Sequence, residues 1–369
     1  MTMTTTDYNQ VTVLPWLSVG EIKIGDVIFW KFKGSSEERS IREYLEKYVA
    51  CYVDIRGKRQ ENIMIASFGD KNNFTVLSPL EQLMVKVARD LLCFASIAPH
   101  SLRAVNQNNR SIAPPSSERF QMFSQNFIPS TDDIAFRAGS HTVSLSGGWK
   151  LDEVRLVAPL YLGGSLFSID TKVLSALSKL LPSLNNPKGK AEEIRLLRSL
   201  EWFRLAHVEN DEVSVFSKVV MMSTAFEVLY DVPNIAGKSD YIADKIDSIF
   251  TSTKLIKTSK KIGKVNKEHT LAGWWGWDFY KLRNRIVHGD SVDAVELIYK
   301  DWLTHLIIAD LVFLKSVIKD LYSLGYYARD VKRLFEKSPD QEAEENTIDF
   351  VTGFSGLFKH LGWEITSQP

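Results

Sequence analysis

The sequence predicts a strand-rich α+β domain over residues 1–165, followed by an all-α helical domain over residues 166–369. Before residue 165, short β-branched and aromatic runs alternate with Gly, Asn, Asp and Ser turn residues. After it, nearly every segment has the apolar spacing of an amphipathic helix. A chain of 369 residues is long enough for each half to bury its own core.

In the first domain, strands are predicted at VIFWKF, CYVDI, NIMIASF, RFQMF, DIAFRA, TVSLS and VRLVA. Helices are predicted at residues 37–49 and 79–97. His100 and His141 fall in predicted loops and have no matching acid, base or metal partner. We therefore expect this domain to sense or regulate rather than to catalyse.

In the second domain, helices are predicted at residues 171–184, 191–208, 213–230, 241–250, 271–287, 293–322 and 346–361. Residues 251–270 carry six lysines against one glutamate and are predicted to form a loop. Such a run is often simply solvated. It is nevertheless the best local candidate for phosphate contacts, through Lys260, Lys261 and Lys264.

Charge and cysteine content limit the function classes. Lysine plus arginine equals aspartate plus glutamate, 45 of each, so nucleic acid would have to be bound by a local patch. Cys51 and Cys93 form no metal-binding or disulfide pattern, which suits a reducing, cytoplasmic location. The amino terminus lacks the pattern of a secretory signal, and charged residues interrupt the apolar stretch at 302–318, so no membrane span is expected.

The segment YKLRNRIVHGD, residues 280–290, contains Arg283, Asn284 and His288 in the order Arg-Asn-x-x-x-His, on a predicted helix that ends at Gly289. It resembles the HEPN family, whose members carry an Arg-x(4 to 6)-His motif on a small helical bundle. The upstream segments SLEWFRLAHVEN and FSKVVMMSTAFEVLY resemble the helices before this motif in ApeA-like HEPN domains of bacterial defence proteins. The resemblance covers roughly residues 184–324 and does not extend to the first domain.

The resemblance implies an endoribonuclease in which Arg283, His288 and Asn284 are catalytic residues at a homodimer interface. Glu227 falls where such domains often place an acidic residue, although a structural salt bridge is an equal alternative. Lys281 and Arg285 are further supporting candidates. The resemblance also implies an RNA substrate and a role in antiphage defence or as a toxin, with a phage-derived trigger or an antitoxin as possible partners and a dimer or higher homo-oligomer as the assembly.

Helical geometry supports an active site that two copies of the chain share. Trp275, Phe279, Leu282 and Ile286 define a buried stripe, which places Lys281, Asn284 and His288 on the opposite face and Arg283 beside the stripe. On one ideal helix the side chains of Arg283 and His288 diverge by about 140°. They would converge most easily across a symmetric pair of helices.

Histidine and arginine are sufficient for RNA cleavage by the substrate's own 2′-hydroxyl. Histidine, with an ordinary pKa of about 6.5, can transfer protons at neutral pH. Arginine can bind the phosphoryl oxygens as negative charge develops on them. No metal or other cofactor is predicted, since no histidine has a second histidine or cysteine at ligand spacing.

Other functions are less well supported by the sequence. Gly237, Lys238 and Ser239 match only the end of a phosphate-binding loop, because Val232 stands where the first glycine is required. The GWWGW segment could stack on bases, but packing is the favoured interpretation. The alternatives to a ribonuclease are a non-catalytic HEPN module that binds nucleotide or a partner protein, and the toxin of a toxin–antitoxin pair.

Overall fold

The computed structural model describes residues 9–33, 39–71, 73–106, 116–128, 134–138, 141–145, 151, 154–162, 168–250, 255–301, 303–327 and 361–363. Two compact units divide the chain. The first contains the described residues of Met1–Asp90, Ser116–Gly163 and Leu181–Pro187. The second contains those of Leu91–Pro115, Gly164–Leu180 and Lys188–Pro369.

The first unit is built on an antiparallel sheet. Its elements are β1 (Asn9–Leu14), β2 (Ile22–Ile24), β3 (Val27–Lys31), α1 (Arg39–Ala50), β4 (Tyr52–Val53), β5 (Met64–Phe68), β6 (Phe123–Phe127), β7 (Ile134–Ala138), β8 (His141–Leu145) and β9 (Leu156–Val157). Seven strands form the sheet in the order β2-β3-β5-β1-β6-β7-β8, and β4 pairs with β9 in parallel. The strand-rich α+β prediction for this region is confirmed.

Helix α1 packs on the sheet through aromatic side chains. Tyr44 stacks on Phe127 of β6 with ring centroids 4.1 Å apart. The hydroxyl groups of Tyr48 and Tyr52 are buried and lie 2.7 Å apart. The RFQMF run, predicted as a strand, begins instead as a 3₁₀ helix (Ser117–Phe120), because Ser116 caps it by accepting a hydrogen bond from the backbone N–H of Glu118.

Helix α2 (Pro79–Asn106) begins at a capping box, in which the backbone N–H of Ser78 donates to Glu81 and that of Glu81 donates to the Ser78 hydroxyl. Its residues from Leu91 onward belong to the second unit. There Phe94 packs edge-on against Phe203 and Phe313, at 5.0 and 5.9 Å between ring centroids. A division of the chain at residue 165 therefore leaves part of this core in the first segment. His100, predicted in a loop, is buried in α2, and His141 begins β8.

The second unit is mainly helical. Its elements are α3 (Thr171–Ser178), α4 (Ala191–Ala206), α5 (Val215–Leu229), α6 (Lys238–Ile249), β10 (Lys257–Ile262), β11 (Val265–Thr270), α7 (Leu271–His288), β12 (Ile298–Lys300), β13 (Leu303–Thr304) and α8 (His305–Ser323). None of the helices in the described ranges combines the length and apolar character that a membrane span requires.

Three predictions for the second unit are wrong in part. It is not all-α, because residues 257–270, expected to be a loop, form the β10–β11 hairpin around a Gly263–Lys264 turn in which Gly263 has a φ of 61°. The helix predicted at 293–322 begins only at His305, after a 3₁₀ helix (Ala294–Leu297) and the short β12–β13 pair. The predicted 171–184 helix stops at Ser178 and is followed by a 3₁₀ helix, Leu181–Leu184. Nearly all of the helix predicted at 346–361 lies outside the described residues.

A buried polar network ties three helices of the second unit together. Asp310 on α8 lies 2.9 Å from Nε2 of His207, at the end of α4, and accepts a 3.0 Å hydrogen bond from Ser101 on α2. Burial opposes the charge on His207, but the Asp310 carboxylate outweighs it and raises the pKa of His207. Such a fully paired network fixes the register of the helices around it.

Candidate functional site

Helix α7 carries the Arg-Asn-x-x-x-His motif. It begins where the Thr270 side chain accepts a hydrogen bond from the backbone N–H of Gly273, and it ends at Gly289, which is left-handed with a φ of 78°. The predicted stripe is buried at Trp275, Phe279 and Leu282 but only half-buried at Ile286. His288 is the last helical residue and is exposed to solvent.

Two glycines let α6 approach α7 closely. A Cβ at Gly273 would lie 2.7 Å from Cγ of Asp247, and one at Gly276 would collide with Cδ1 of Ile246. Trp274 and Trp275, between these glycines, are buried. The packing interpretation of the GWWGW segment therefore applies to these two tryptophans, while Trp277 is half-buried and donates to Asp240 at 3.1 Å.

The side chain of Arg283 lies against Glu227, which α5 contributes. Nη2 of Arg283 is 3.4 Å from Oε1 of Glu227, and the Tyr280 hydroxyl donates to the same oxygen at 2.6 Å. Nη1 of Arg283 donates to the side-chain oxygen of Asn284 at 3.1 Å. Lys238, the first residue of α6, lies 3.4 Å from the other Glu227 oxygen. We call Glu227, Lys238, Tyr280 and Arg283 the Glu227 cluster.

The Glu227 cluster has two cations for one carboxylate, and its charged side chains are only 19–26% exposed. Burial, followed by the hydrogen bond to Glu227, raises the pKa of Tyr280 and keeps this phenol a donor at neutral pH. Because Tyr280 is neutral, the two cations and the one carboxylate leave one net positive charge beside Arg283. An anion such as a phosphate group is the ligand that this charge favours.

Arg283 and His288 do not meet on one chain. Five residues of α-helix separate their Cα atoms by about 9 Å and turn their side chains about 140° apart. Within the described part of the chain, no hydrogen bond or ion pair joins the two side chains.

The two supporting candidates on α7 lie outside the Glu227 cluster. Arg285 forms an ion pair with Glu296 and donates to the backbone oxygen of Ser291 at 2.7 Å, so it closes the loop that follows α7. Lys281 is exposed and lies 5.1 Å from the ring centre of Trp277. Arg285 is therefore held within the loop, whereas Lys281 remains on the exposed surface of α7.

The three lysine candidates lie on the β10–β11 hairpin, but they do not share one face. Nζ of Lys260 is 4.5 Å from the Trp274 ring centre and 3.7 Å from Asp278, so this side chain is directed at α7. Lys261 is exposed on the opposite face, and Lys264 is exposed in the turn. Lys261 and Lys264 therefore remain accessible to a phosphate backbone.

The sequence did not predict two groups of neighbouring side chains. Lys238 stood out only as part of an incomplete phosphate-binding loop, and nothing in its spacing indicates a contact with Glu227. Asp244, Asp247 and His269 present one potential metal-ligand atom each, all within 4.8 Å of one another. Because α6 and β11 contribute these residues separately, no short sequence motif reveals the cluster.

Comparisons of the chain with protein-family models, with curated proteins and with solved structures found no match.

Proposed function

We propose that this protein is a metal-independent endoribonuclease of the HEPN type, with Arg283 and His288 as its principal catalytic residues. The observation that carries the proposal is the arrangement along α7: the Arg283 guanidinium is held by Glu227 and Asn284, while His288 is exposed at the end of the same helix. An anchored cation and an accessible imidazole are what cleavage by a 2′-hydroxyl requires.

In the proposed reaction the 2′-oxygen of the RNA bonds to phosphorus and the bond from phosphorus to the 5′-oxygen breaks. An imidazole accepts the 2′-hydroxyl proton, and an imidazolium gives a proton to the leaving 5′-oxygen. His288 supplies the imidazole. Arg283 binds the phosphoryl oxygens as their charge grows, and Glu227 and Asn284 position its guanidinium.

The divergence of Arg283 and His288 on one helix supports a homodimer in which two copies of α7 face each other. Such a pair would supply two imidazoles, one to accept and one to donate a proton. Lys261 and Lys264 on each hairpin would add phosphate contacts outside the reacting group. The resemblance to HEPN domains of defence proteins supports a cytoplasmic role in antiphage defence or as a toxin.

The first unit would then sense a trigger and regulate cleavage. It carries a groove of 350 Å³ lined by α1 together with Arg59, Leu151 and Arg155. Deletion of residues 1–165 is a poor test of this role, because the deletion also removes Phe94 and Ser101 from the core of the second unit. Substitutions in the groove leave that core intact.

Product chemistry tests the proposal most directly. Full-length protein incubated with RNA in excess EDTA should give fragments that end in a 2′,3′-cyclic phosphate, and a single 2′-deoxyribose at the cut site should block cleavage there. His288→Ala should lower the rate about 10²–10⁴-fold, since it removes the acid-base group. Arg283→Ala should cost a comparable factor. Arg198→Ala, at an exposed helical position outside α7, is the matched control.

Three outcomes would refute the mechanism: a requirement for magnesium, equal cleavage of DNA, or activity that survives both substitutions. RNA that stays intact under every activating condition, with nucleotide or a partner protein bound through this face instead, would favour the non-catalytic module. Co-purification of a neutralising protein would favour a toxin–antitoxin pair.

A mixing experiment tests the composite site. His288→Ala chains and Arg283→Ala chains, each inactive alone, should regain part of the activity when they are unfolded and refolded together. Failure of mixed dimers to regain activity, with dimer formation verified by differently tagged chains, would place each site within one chain.

A further inference from the structure

Helix α6 presents a line of carboxylates to the β10–β11 hairpin. Asp240, Asp244 and Asp247 are spaced i, i+4 and i+7 and share one helical face. Lys267 and His269 are two residues apart on β11, so both side chains lie on the side of the hairpin that faces these carboxylates. Asp240 pairs with Lys267 at 2.5 Å, whereas Asp244 and Asp247 both lie near the single imidazole of His269.

Asp247 is held in place by the start of α7. One of its oxygens accepts hydrogen bonds from the backbone N–H and the hydroxyl of Thr270, at 3.1 and 2.5 Å. The other lies 2.8 Å from Nδ1 of His269, and the carboxylate sits against Gly273 where no side chain intervenes. This oxygen and the buried imidazole are therefore preorganised on one side of a site.

Asp244 completes the site from the solvent side. Its side chain is 73% exposed, and its Oδ1 lies 3.7 Å from Nδ1 of His269. Two carboxylates thus converge on one imidazole, which leaves excess negative charge even when that imidazole is protonated. A cation is the ligand that balances this charge.

We propose that Asp244, Asp247 and His269 bind a divalent transition-metal ion, with Zn²⁺ as the preferred occupant. Metal–ligand bonds of about 2.0–2.2 Å in a tetrahedral site place neighbouring ligand atoms about 3.4 Å apart. The separations of 2.8 and 3.7 Å from Nδ1 bracket that value, so small side-chain shifts suffice. An imidazole with two carboxylates suits Zn²⁺ better than Mg²⁺.

The bound ion would fasten the hairpin to α6 rather than take part in RNA cleavage. Asp247 lies against Gly273, which is fifteen positions before His288 on α7 and therefore about 22 Å from it along the helix. The site is therefore independent of the proposed ribonuclease chemistry. Because the Asp244 side chain is exposed, the ion can enter from solvent on this side, and water can complete its coordination shell there.

Metal binding can be measured on the full-length protein after chelator treatment and dialysis. Titration with ZnCl₂ should show one ion per chain and raise the thermal midpoint, and Co²⁺ should give the visible absorption of a four-coordinate site. Asp244→Asn should weaken Zn²⁺ binding at least about 100-fold while leaving the metal-free thermal midpoint unchanged. Asp211→Asn, at an exposed aspartate outside the cluster, is the matched control and should bind as the parent does.

If Asp244→Asn lowers the metal-free midpoint, Asp244→Ser replaces it as the test variant. Absence of stoichiometric Zn²⁺ binding would overturn the proposal. So would Zn²⁺ binding that Asp244→Asn and Asp211→Asn share equally, since the ion would then lie elsewhere. Magnesium bound as tightly as zinc would overturn the choice of a transition metal.

Discussion

Replacing Gly273 by alanine tests how tightly α6 and α7 are joined. Alanine normally stabilises a helix relative to glycine by up to about 1 kcal/mol. At this position, however, the new Cβ would lie 2.7 Å from Cγ and 2.9 Å from Oδ2 of Asp247, and closer still to Oδ1. Real Cβ atoms essentially never make such contacts, so the carboxylate must move.

The expected magnitude follows from what Asp247 holds. Moving its carboxylate breaks the hydrogen bonds from the backbone and hydroxyl of Thr270 and weakens the contact with His269. Hydrogen bonds to a charged group contribute about 1.5–3 kcal/mol each, so losing two of them costs about 3–4 kcal/mol after partial rescue by water. Subtracting the helical gain leaves a net destabilisation of about 2–3 kcal/mol.

Chemical and thermal unfolding measure this effect. Gly273→Ala should lower the thermal midpoint of the second unit by about 5–10 °C. Gly20→Ala, where a Cβ would meet nothing within 4 Å, is the control and should change little. A Gly273→Ala protein as stable as the parent, or more stable, would refute the close approach of Asp247 to α7.

Two further predictions concern the Glu227 cluster and a buried histidine. Glu227→Ala should lower the cleavage rate about tenfold, because Arg283 loses the carboxylate that positions it. Glu227→Gln, which keeps an acceptor for Tyr280, should recover part of that rate. The exposed Glu201→Ala is the control, and a single-turnover rate that Glu227→Ala leaves unchanged would contradict a positioning role for Glu227. His305 is buried among Trp275, Phe279 and Tyr299, and burial lowers its pKa to about 4. In the unfolded chain His305 is protonated below about pH 6.5, whereas in the folded chain it stays neutral down to about pH 4. The free energy of unfolding should therefore fall by about 2–3 kcal/mol between pH 7 and 4.5. His305→Leu should lose this part of the urea-midpoint shift, and an identical pH dependence in both proteins would show that His305 is not responsible.

Helix positions were predictable where local signals agreed. Helices α4, α5 and α7 fall within two residues of their predicted bounds, because apolar periodicity and end signals such as Gly289 coincide there. The β10–β11 hairpin was missed because its strands are charged and mostly exposed, so they show no apolar alternation. Contacts of Thr258 and Lys260 with Trp274 hold it against α7, and local sequence does not encode such contacts.

The start of α8 was also mispredicted, because local sequence does not show which potential cap begins the helix. Residues 293–322 read as one continuous helix, but Asp293 and Glu296 form a capping box for a separate 3₁₀ helix, and Thr304 caps α8 itself. Several potential caps lie within a few residues there. Tertiary packing of β12 and β13 determines which of them begins the long helix.

The sequence by itself determined the strand-rich first part, the mainly helical second part and the placement of Arg283, Asn284 and His288 near the end of one helix. These features depend on short-range periodicity and capping, which a linear sequence records. Only the tertiary structure brought Arg283 and Lys238 to Glu227, directed Lys260 toward Trp274, and brought Asp244 and Asp247 to His269. Each of these contacts joins separate elements, and the packing of α5, α6, α7 and the hairpin sets their distances.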